Sequence, residues 1–214
     1  MSKKTDLVAR RKKIVAILRT IVLVAGIYQM IVEPLIGVAI LLCLAAISSP
    51  ALITRGRVKA IPLEFELILF AMVVLQFVIG ETLNFYDNVP YFDKFVHFML
   101  PFFLGFFATM FAYTLRVTGA LKVGLASTMF VVFMTTLGIG AIWEIFEYLA
   151  DVFLGTYLQG SHTATPLVDT MNDLIVDTLG AVFGALLTLF FIKRDGKDKK
   201  SRLNGLAKEI KEDF

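Results

Sequence analysis

The stretch DTMNDLIVDTLGAVFGALLTLFFIKR, residues 169–194, decides the fold of this chain. It opens with carboxylates spaced by four residues, at Asp169, Asp173 and Asp177, continues as an apolar run, and closes on a Lys-Arg pair. A helix rises about 1.5 Å per residue and crosses a hydrocarbon core of about 30 Å in roughly 20 residues. We therefore expect a transmembrane helix with an acidic end and a basic end.

The rest of the chain repeats this apolar character. It has 214 residues, 57% of them hydrophobic, and a mean hydropathy of +0.78, whereas soluble domains are about 45–50% apolar. The composition predicts an all-α integral membrane protein, a bundle of about six transmembrane helices. The apolar segments lie near residues 14–32, 35–54, 63–80, 96–115, 123–149 and 174–192. The first is too long for a typical signal peptide, so we expect a retained anchor.

The distribution of positive charge predicts the topology. Basic clusters precede the first segment and follow the second, fourth and sixth, and of 21 Lys and Arg residues Lys94 is the one expected clearly on the other side. Because Lys and Arg concentrate in cytoplasmic loops, both termini are expected in the cytoplasm of a bacterium, with the chain in its inner membrane. Lipid and topology explain the basic tracts, so we expect membrane lipids and no nucleic acid as partners. Residues 1–194 are expected to form one membrane domain and residues 195–214 a charged cytoplasmic tail.

Polar residues cluster at the opposite, extracytoplasmic ends of three segments. They form the pairs Asp93 and His97 and Glu144 and Glu147, together with the aspartates that open the last helix. Counting about 1.5 Å per residue from the cytoplasmic ends places these side chains roughly 24–37 Å away, near the outer boundary of the hydrocarbon. Three segments distant in sequence are therefore predicted to contribute to one polar site.

Ordinary helix chemistry accounts for only part of this set. Asp93, Asp169 and Asp173 lie where helices begin, and a carboxylate there caps free N–H groups. Near the C-terminal end of a helix, or a turn inside the hydrocarbon, a carboxylate is unfavourable and needs a cation, a proton or an imidazole. The predicted catalytic residues are therefore His97, Glu144, Glu147 and Asp177. A divalent metal ion is the cofactor that such a cluster could bind. Its candidate ligands are Asp93, His97, Glu144, Glu147, Asp173 and Asp177.

Small residues predict which face of the last helix is packed. The acidic stripe runs into Gly180 and Gly184, and small residues at four-residue spacing mark close helix packing in membranes. The acids are therefore expected to face neighbouring helices.

The joint pattern of these clusters resembles the YjdF-like family of bacterial inner-membrane proteins over about residues 85–192. The pattern comprises YFDKFVH (91–97), WEIFE (143–147), GTYLQ (155–159) and DTMNDLIVDTLG (169–180). It is more distantly similar to VanZ-like proteins, from which it departs at Glu147 and Asp177, where a Gln and an Asn would be expected. The first resemblance implies a membrane protein without an established activity, and the second implies only a cell-envelope setting.

Three functions follow from the residues alone. The first is a metal-assisted enzyme acting on an envelope or lipid-linked substrate, in which the ion activates water or polarises a phosphoryl group. The second is a structural or partner-binding protein in which the polar cluster clasps helices together. The third is an ion- or proton-coupled transporter, because intramembrane acids also mark cation pathways. The loop 155–168 is expected to connect helices above the site, with a lid as the alternative.

The topology is testable by cysteine labelling in intact cells. A cysteine introduced at Asn88 or Ser161 should react with an impermeant thiol reagent added outside, because both residues are predicted to face outwards. A cysteine at Arg57, in a predicted cytoplasmic loop, should not react, and its labelling would overturn the orientation.

Overall fold

The computed structural model describes residues 3–53, 63–117, 122, 124–159 and 165–195, and these contain helices and no strand. Three regions named above lie outside the described residues. They are the basic cluster predicted to be cytoplasmic (Arg55, Arg57 and Lys59), residues 160–164 of the predicted connecting loop, and residues 196–214 of the predicted tail. The helices are α1 (Lys3–Val32), α2 (Pro34–Ile53), α3 (Leu63–Val73), which continues as a π-helix (Val74–Thr82), α4 (Phe85–Asn88), α5 (Phe92–Val117), α6 (Leu125–Leu154) and α7 (Pro166–Asp195).

Four helical segments among the described residues are long and apolar enough to cross a membrane. They are Ala9–Val32, Phe92–Tyr113, Leu125–Leu154 and Pro166–Phe191, and a shorter apolar helix covers Pro34–Ser49. The prediction of a helical multi-pass membrane protein is therefore supported. The count of six spans, the cytoplasmic position of both termini and the division at residue 194 remain predictions.

The helices extend beyond the apolar runs that predicted them. Helix α1 begins at Lys3, although its apolar segment starts near residue 14, and α7 begins at Pro166, eight residues before its predicted segment. Hydropathy marks only the part of a helix that matches hydrocarbon, whereas hydrogen bonding continues through polar turns beyond it. For α7 this extension matters, because Asp169 and Asp173 lie on regular helix.

The chain forms two compact units, Met1–Asp93 and Lys94–Phe214. In the first unit, α1 and α2 approach closely at Gly37, where an added Cβ would lie 2.4 Å from the backbone nitrogen of Met30. The Gln29 side chain on α1 donates to the hydroxyl of Thr82 at the end of the π-helix, at 3.2 Å. Nearer the start of α1, Arg19 pairs with Glu66 of α3.

The second unit contains α5, α6 and α7, and glycines bring α7 against α5. A Cβ added at Gly180 would lie 2.3 Å from the carbonyl oxygen of Phe98, and one at Gly184 would lie 2.0 Å from that of Phe102. Real Cβ atoms do not approach backbone oxygens so closely, so only glycine permits this separation. The hydroxyl of Thr188, one turn further along α7, donates to the Phe106 carbonyl at 3.2 Å.

Gly184→Ala should lower the unfolding temperature of the purified protein and its yield in membranes, because the added methyl group forces α5 and α7 apart. Overpacking of this kind costs about 1–3 kcal/mol. The matched control is Gly138→Ala on α6, where an added Cβ would have no neighbour within 4 Å. Equal effects of the two substitutions would show that the close approach does not stabilise the fold.

Candidate functional site

Lys94 links two carboxylates of α7 to the first turns of α5. Its Nζ atom lies 2.7 Å from Oδ1 of Asp169, and 2.7 and 2.8 Å from the two oxygens of Asp173. The side chain of Lys94 is 23% exposed. One ammonium group thus compensates the acidic start of α7, where the two aspartates lie one turn apart.

His97 lies one turn deeper on α5 and has a different environment at each ring nitrogen. Nδ1 lies 3.1 Å from Oδ1 of Asp177, which is hydrogen-bond distance. Nε2 lies 3.8 Å from Oε1 of Glu144 and 3.9 Å from Oδ1 of Asp173. These two separations exceed a direct hydrogen bond and are those that a bridging water or metal ion would span. Asp177 therefore orients the ring while Nε2 faces two carboxylates.

The acids of the site are nearly buried. The side chains of Asp169, Asp173, Asp177 and Glu144 are between 2% and 8% exposed. Among the described residues, the basic side chains within ion-pair distance of these acids are Lys94 and His97. Because a buried carboxylate without compensation costs several kcal/mol, cations and protons are the ligands that this arrangement favours.

Asp177 occupies the most restricted position of the four. Its Oδ1 atom faces His97, whereas Oδ2 is buried and has no hydrogen-bond donor among the described residues. A Cβ added at Gly140 of α6 would lie 2.2 Å from this second oxygen. The absence of a side chain at Gly140 thus creates the space that the carboxylate occupies.

The other predicted ligands have different surroundings. Glu147 is half-buried and accepts a hydrogen bond from the indole nitrogen of Trp143 on its own helix, at 2.7 Å. Asp93 lies in the first turn of α5, four residues before His97, and is the last residue of the first unit. The participation of Glu147 and Asp93 in the site remains a prediction from spacing.

The loop that follows α6 is tied to both flanking helices by residues that were not predicted as functional. The carboxylate of Asp151 accepts hydrogen bonds from the backbone nitrogens of Leu158 and Gln159, at 2.7 and 2.8 Å, and from the Thr156 hydroxyl. The Gln159 amide donates to the carbonyl of Glu144, at 3.3 Å, and to the hydroxyl of Thr170, at 2.9 Å. Gln159 thereby joins α6 to α7 beside the site. Its place in the GTYLQ motif was the available signal.

The donor set suits a divalent cation of borderline hardness. An imidazole nitrogen and carboxylate oxygens are ligands that Zn²⁺ and Mn²⁺ accept. Metal-bound histidines commonly donate their other nitrogen to a carboxylate, which fixes the tautomer and the ring orientation, and Asp177 is placed to accept from Nδ1 in this way. The residues that could hold a cation are thus His97 through Nε2, Glu144 and Asp173.

Comparison with known proteins identifies relatives but no activity. The profile of the family described as "Predicted membrane protein (DUF2238)" matches residues 12–194. An uncharacterized protein of Thermotoga maritima is 30% identical over 149 residues, which cover 70% of this chain and 73% of that protein. No solved structure gives a significant match. The family agrees with the YjdF-like resemblance, whereas the VanZ-like similarity has no support from these comparisons.

Lys94→Met should destabilise the protein strongly, because it leaves Asp169 and Asp173 buried without their ammonium partner. Removing one partner of a buried ion pair costs about 3–5 kcal/mol, and the partial exposure of Lys94 places the expected loss near 3 kcal/mol. Thermal unfolding of the purified protein measures it. The double substitution Lys94→Met with Asp173→Asn should recover part of the loss, and a double variant no better than Lys94→Met would contradict this pairing.

Proposed function

The chain belongs to the DUF2238 family of membrane proteins, and we propose that it is a cation-dependent enzyme of the bacterial inner membrane. In this proposal both termini face the cytoplasm, and the cluster around His97 binds one divalent ion near the outer boundary of the bilayer. The substrate is an envelope or lipid-linked compound, because such a compound presents its polar group at that depth.

The observation that carries the proposal is the convergence of two buried carboxylates on one ring nitrogen of His97. Nε2 of His97 lies 3.8 Å from Oε1 of Glu144 and 3.9 Å from Oδ1 of Asp173, and the three side chains are between 3% and 9% exposed. Carboxylate oxygens and an imidazole nitrogen are ligands that a divalent ion accepts. A divalent cation between Nε2 of His97, Glu144 and Asp173 would compensate the charge of both buried carboxylates.

The residues would then divide into three roles. His97, Glu144 and Asp173 hold the ion, Asp177 fixes the imidazole through Nδ1, and Lys94 limits the net negative charge at the start of α7. Glu147 and Asp93 are further candidates from the sequence. An ion with an open coordination position lowers the pKa of bound water and polarises phosphoryl or carbonyl oxygens. Hydrolysis or group transfer at a phosphorylated headgroup is the chemistry best suited to this donor set.

A helix clasp is the second candidate, and a specific contact favours it. Lys94 bridges Asp169 and Asp173 between α5 and α7, next to the glycines that let these helices approach. If the remaining acids carry protons, hydrogen bonds alone could satisfy the cluster. Metal content separates the two candidates, because a clasp requires no ion.

The enzyme proposal predicts about one divalent ion per chain when the full protein is purified in detergent without chelator and measured by elemental analysis. His97→Gln and Glu144→Gln should each lose most of this metal, because both remove a proposed ligand and keep a similar shape. Asp177→Asn should weaken binding by about 10–100-fold, as changes to the partner of a metal-bound histidine do.

The matched control is Asp151→Asn. Asp151 lies on α6, as Glu144 does, but its carboxylate accepts hydrogen bonds from the loop that follows this helix. It should retain the metal. Metal bound equally by the wild type and His97→Gln would place the ion elsewhere. Metal-free wild-type protein, combined with lower unfolding temperatures for all three site variants, would favour the clasp.

A further inference from the structure

Residues 155–159, which follow α6, turn back alongside that helix. Gly155 ends α6 with a φ of +69°, a left-handed conformation that glycine adopts without strain. The side-chain amide of Gln159 then donates to the carbonyl of Glu144. Glu144 lies ten residues before the end of α6, about 15 Å along the helix axis. A glutamine side chain is much shorter than this distance, so the backbone of residues 155–159 must return along the last turns of α6.

One carboxylate of α6 holds this returning segment. Asp151 accepts hydrogen bonds from the backbone nitrogens of Leu158 and Gln159, at 2.7 and 2.8 Å, and from the hydroxyl of Thr156, at 2.7 Å. Irregular backbone inside a membrane is tolerated where it is buried in protein or lines a cavity, with its polar groups satisfied. Because Asp151 satisfies two of these backbone groups, the segment can lie against α6 with Gln159 directed at the site.

The Gln159 amide contacts both helices next to proposed ligands of the cation. Its Nε2 atom lies 3.3 Å from the carbonyl oxygen of Glu144 and 2.9 Å from the hydroxyl oxygen of Thr170. Thr170 precedes Asp173 by three residues, which is less than one turn of α7. One side chain thus ties α6 at Glu144 to α7 beside Asp173.

The two carboxylates next to this bridge belong to different helices and face the same ring nitrogen. Nε2 of His97 lies 3.8 Å from Oε1 of Glu144 and 3.9 Å from Oδ1 of Asp173. A bound Zn²⁺ needs each nitrogen or carboxylate ligand at about 2.0–2.2 Å, and supporting groups must hold such ligands to within about 0.5 Å. The position of α6 relative to α7 therefore decides whether all three ligands can reach one ion.

We propose that Gln159 is a positioning residue of the cation site, because its hydrogen bonds to α6 and α7 set the separation of the Glu144 and Asp173 carboxylates. This inference rests on the proposed function, since it concerns the ion of that site. Removal of the bridge leaves every ligand in the chain but lets the two helices shift relative to each other. Binding of the ion then weakens although no ligand has been lost.

The test is a titration of the full chain in detergent with Mn²⁺, in which electron paramagnetic resonance measures the free ion. Gln159→Met keeps the length of the side chain but cannot donate, and it should weaken binding about tenfold, at the lower end of the effect of groups that support metal ligands. Thr170→Val removes the partner on α7 without changing its shape and should weaken binding similarly. Thr170→Ser keeps the hydroxyl and should bind as the wild type does.

Thr156→Val is the matched control within the same segment. It removes the hydroxyl that donates to Asp151 and leaves the bridge of Gln159 in place, so it should bind Mn²⁺ as the wild type does. Asp151→Asn keeps one acceptor oxygen for the segment and leaves the same bridge, so retention of the metal by that variant agrees with this role. Affinities are compared at a temperature at which thermal unfolding shows each variant folded, and Thr170→Val carries the test if Gln159→Met does not accumulate.

The outcomes separate this role from the proposed function. Wild-type affinity in Gln159→Met and Thr170→Val would overturn the positioning role and leave the cation site standing. An equal weakening in Thr156→Val would also overturn it, because the stability of the segment and not the bridge would then govern binding. If the wild type does not bind Mn²⁺, the series is repeated with Zn²⁺ and a chromophoric indicator, and a wild type that binds neither ion would overturn both proposals.

Discussion

Compensation of buried carboxylates is the constraint on which the second unit depends. Four acids lie at an interface of three apolar helices, where water is scarce and each unpaired charge is costly. Lys94 pairs with Asp169 and Asp173 at the start of α7. His97 contacts Asp177, which lies one turn further along the same helix. The geometry of α5 against α7 must satisfy these contacts, so the polar cluster selects one arrangement of helices that apolar packing alone would specify weakly.

The glycines of α7 make these contacts possible. Ion pairs and hydrogen bonds at 2.7–3.1 Å between α5 and α7 require the two backbones to approach closely. Gly180 and Gly184 permit that approach, because any side chain at either position would collide with a carbonyl oxygen of α5. Gly140 has a corresponding role on α6, where it leaves room for Asp177. The polar contacts and the close packing at the glycines therefore depend on each other. A substitution that separates the helices would also lengthen the ion pairs and hydrogen bonds between them.

Much of the fold follows from sequence periodicity, because hydropathy and four-residue spacing are local properties. The apolar runs located the helices, and the spacing of Gly180 and Gly184 marked the packed face of α7. The partners of Lys94 could not be read in this way, because they depend on the rotation of α5 about its axis. Asp151 shows the limit of spacing. It lies on α6 one turn beyond Glu147 and two turns beyond Glu144, but its carboxylate accepts hydrogen bonds from the backbone of the following loop. Spacing identifies a shared helix face, not the side chain's partner.

Neighbouring groups decide what a buried acid can bind. Around His97, a fixed ammonium group and an imidazole lone pair accompany the carboxylates, so a metal ion can replace protons without leaving the site overcharged. The base beside a buried carboxylate therefore helps to decide which cation the carboxylate favours.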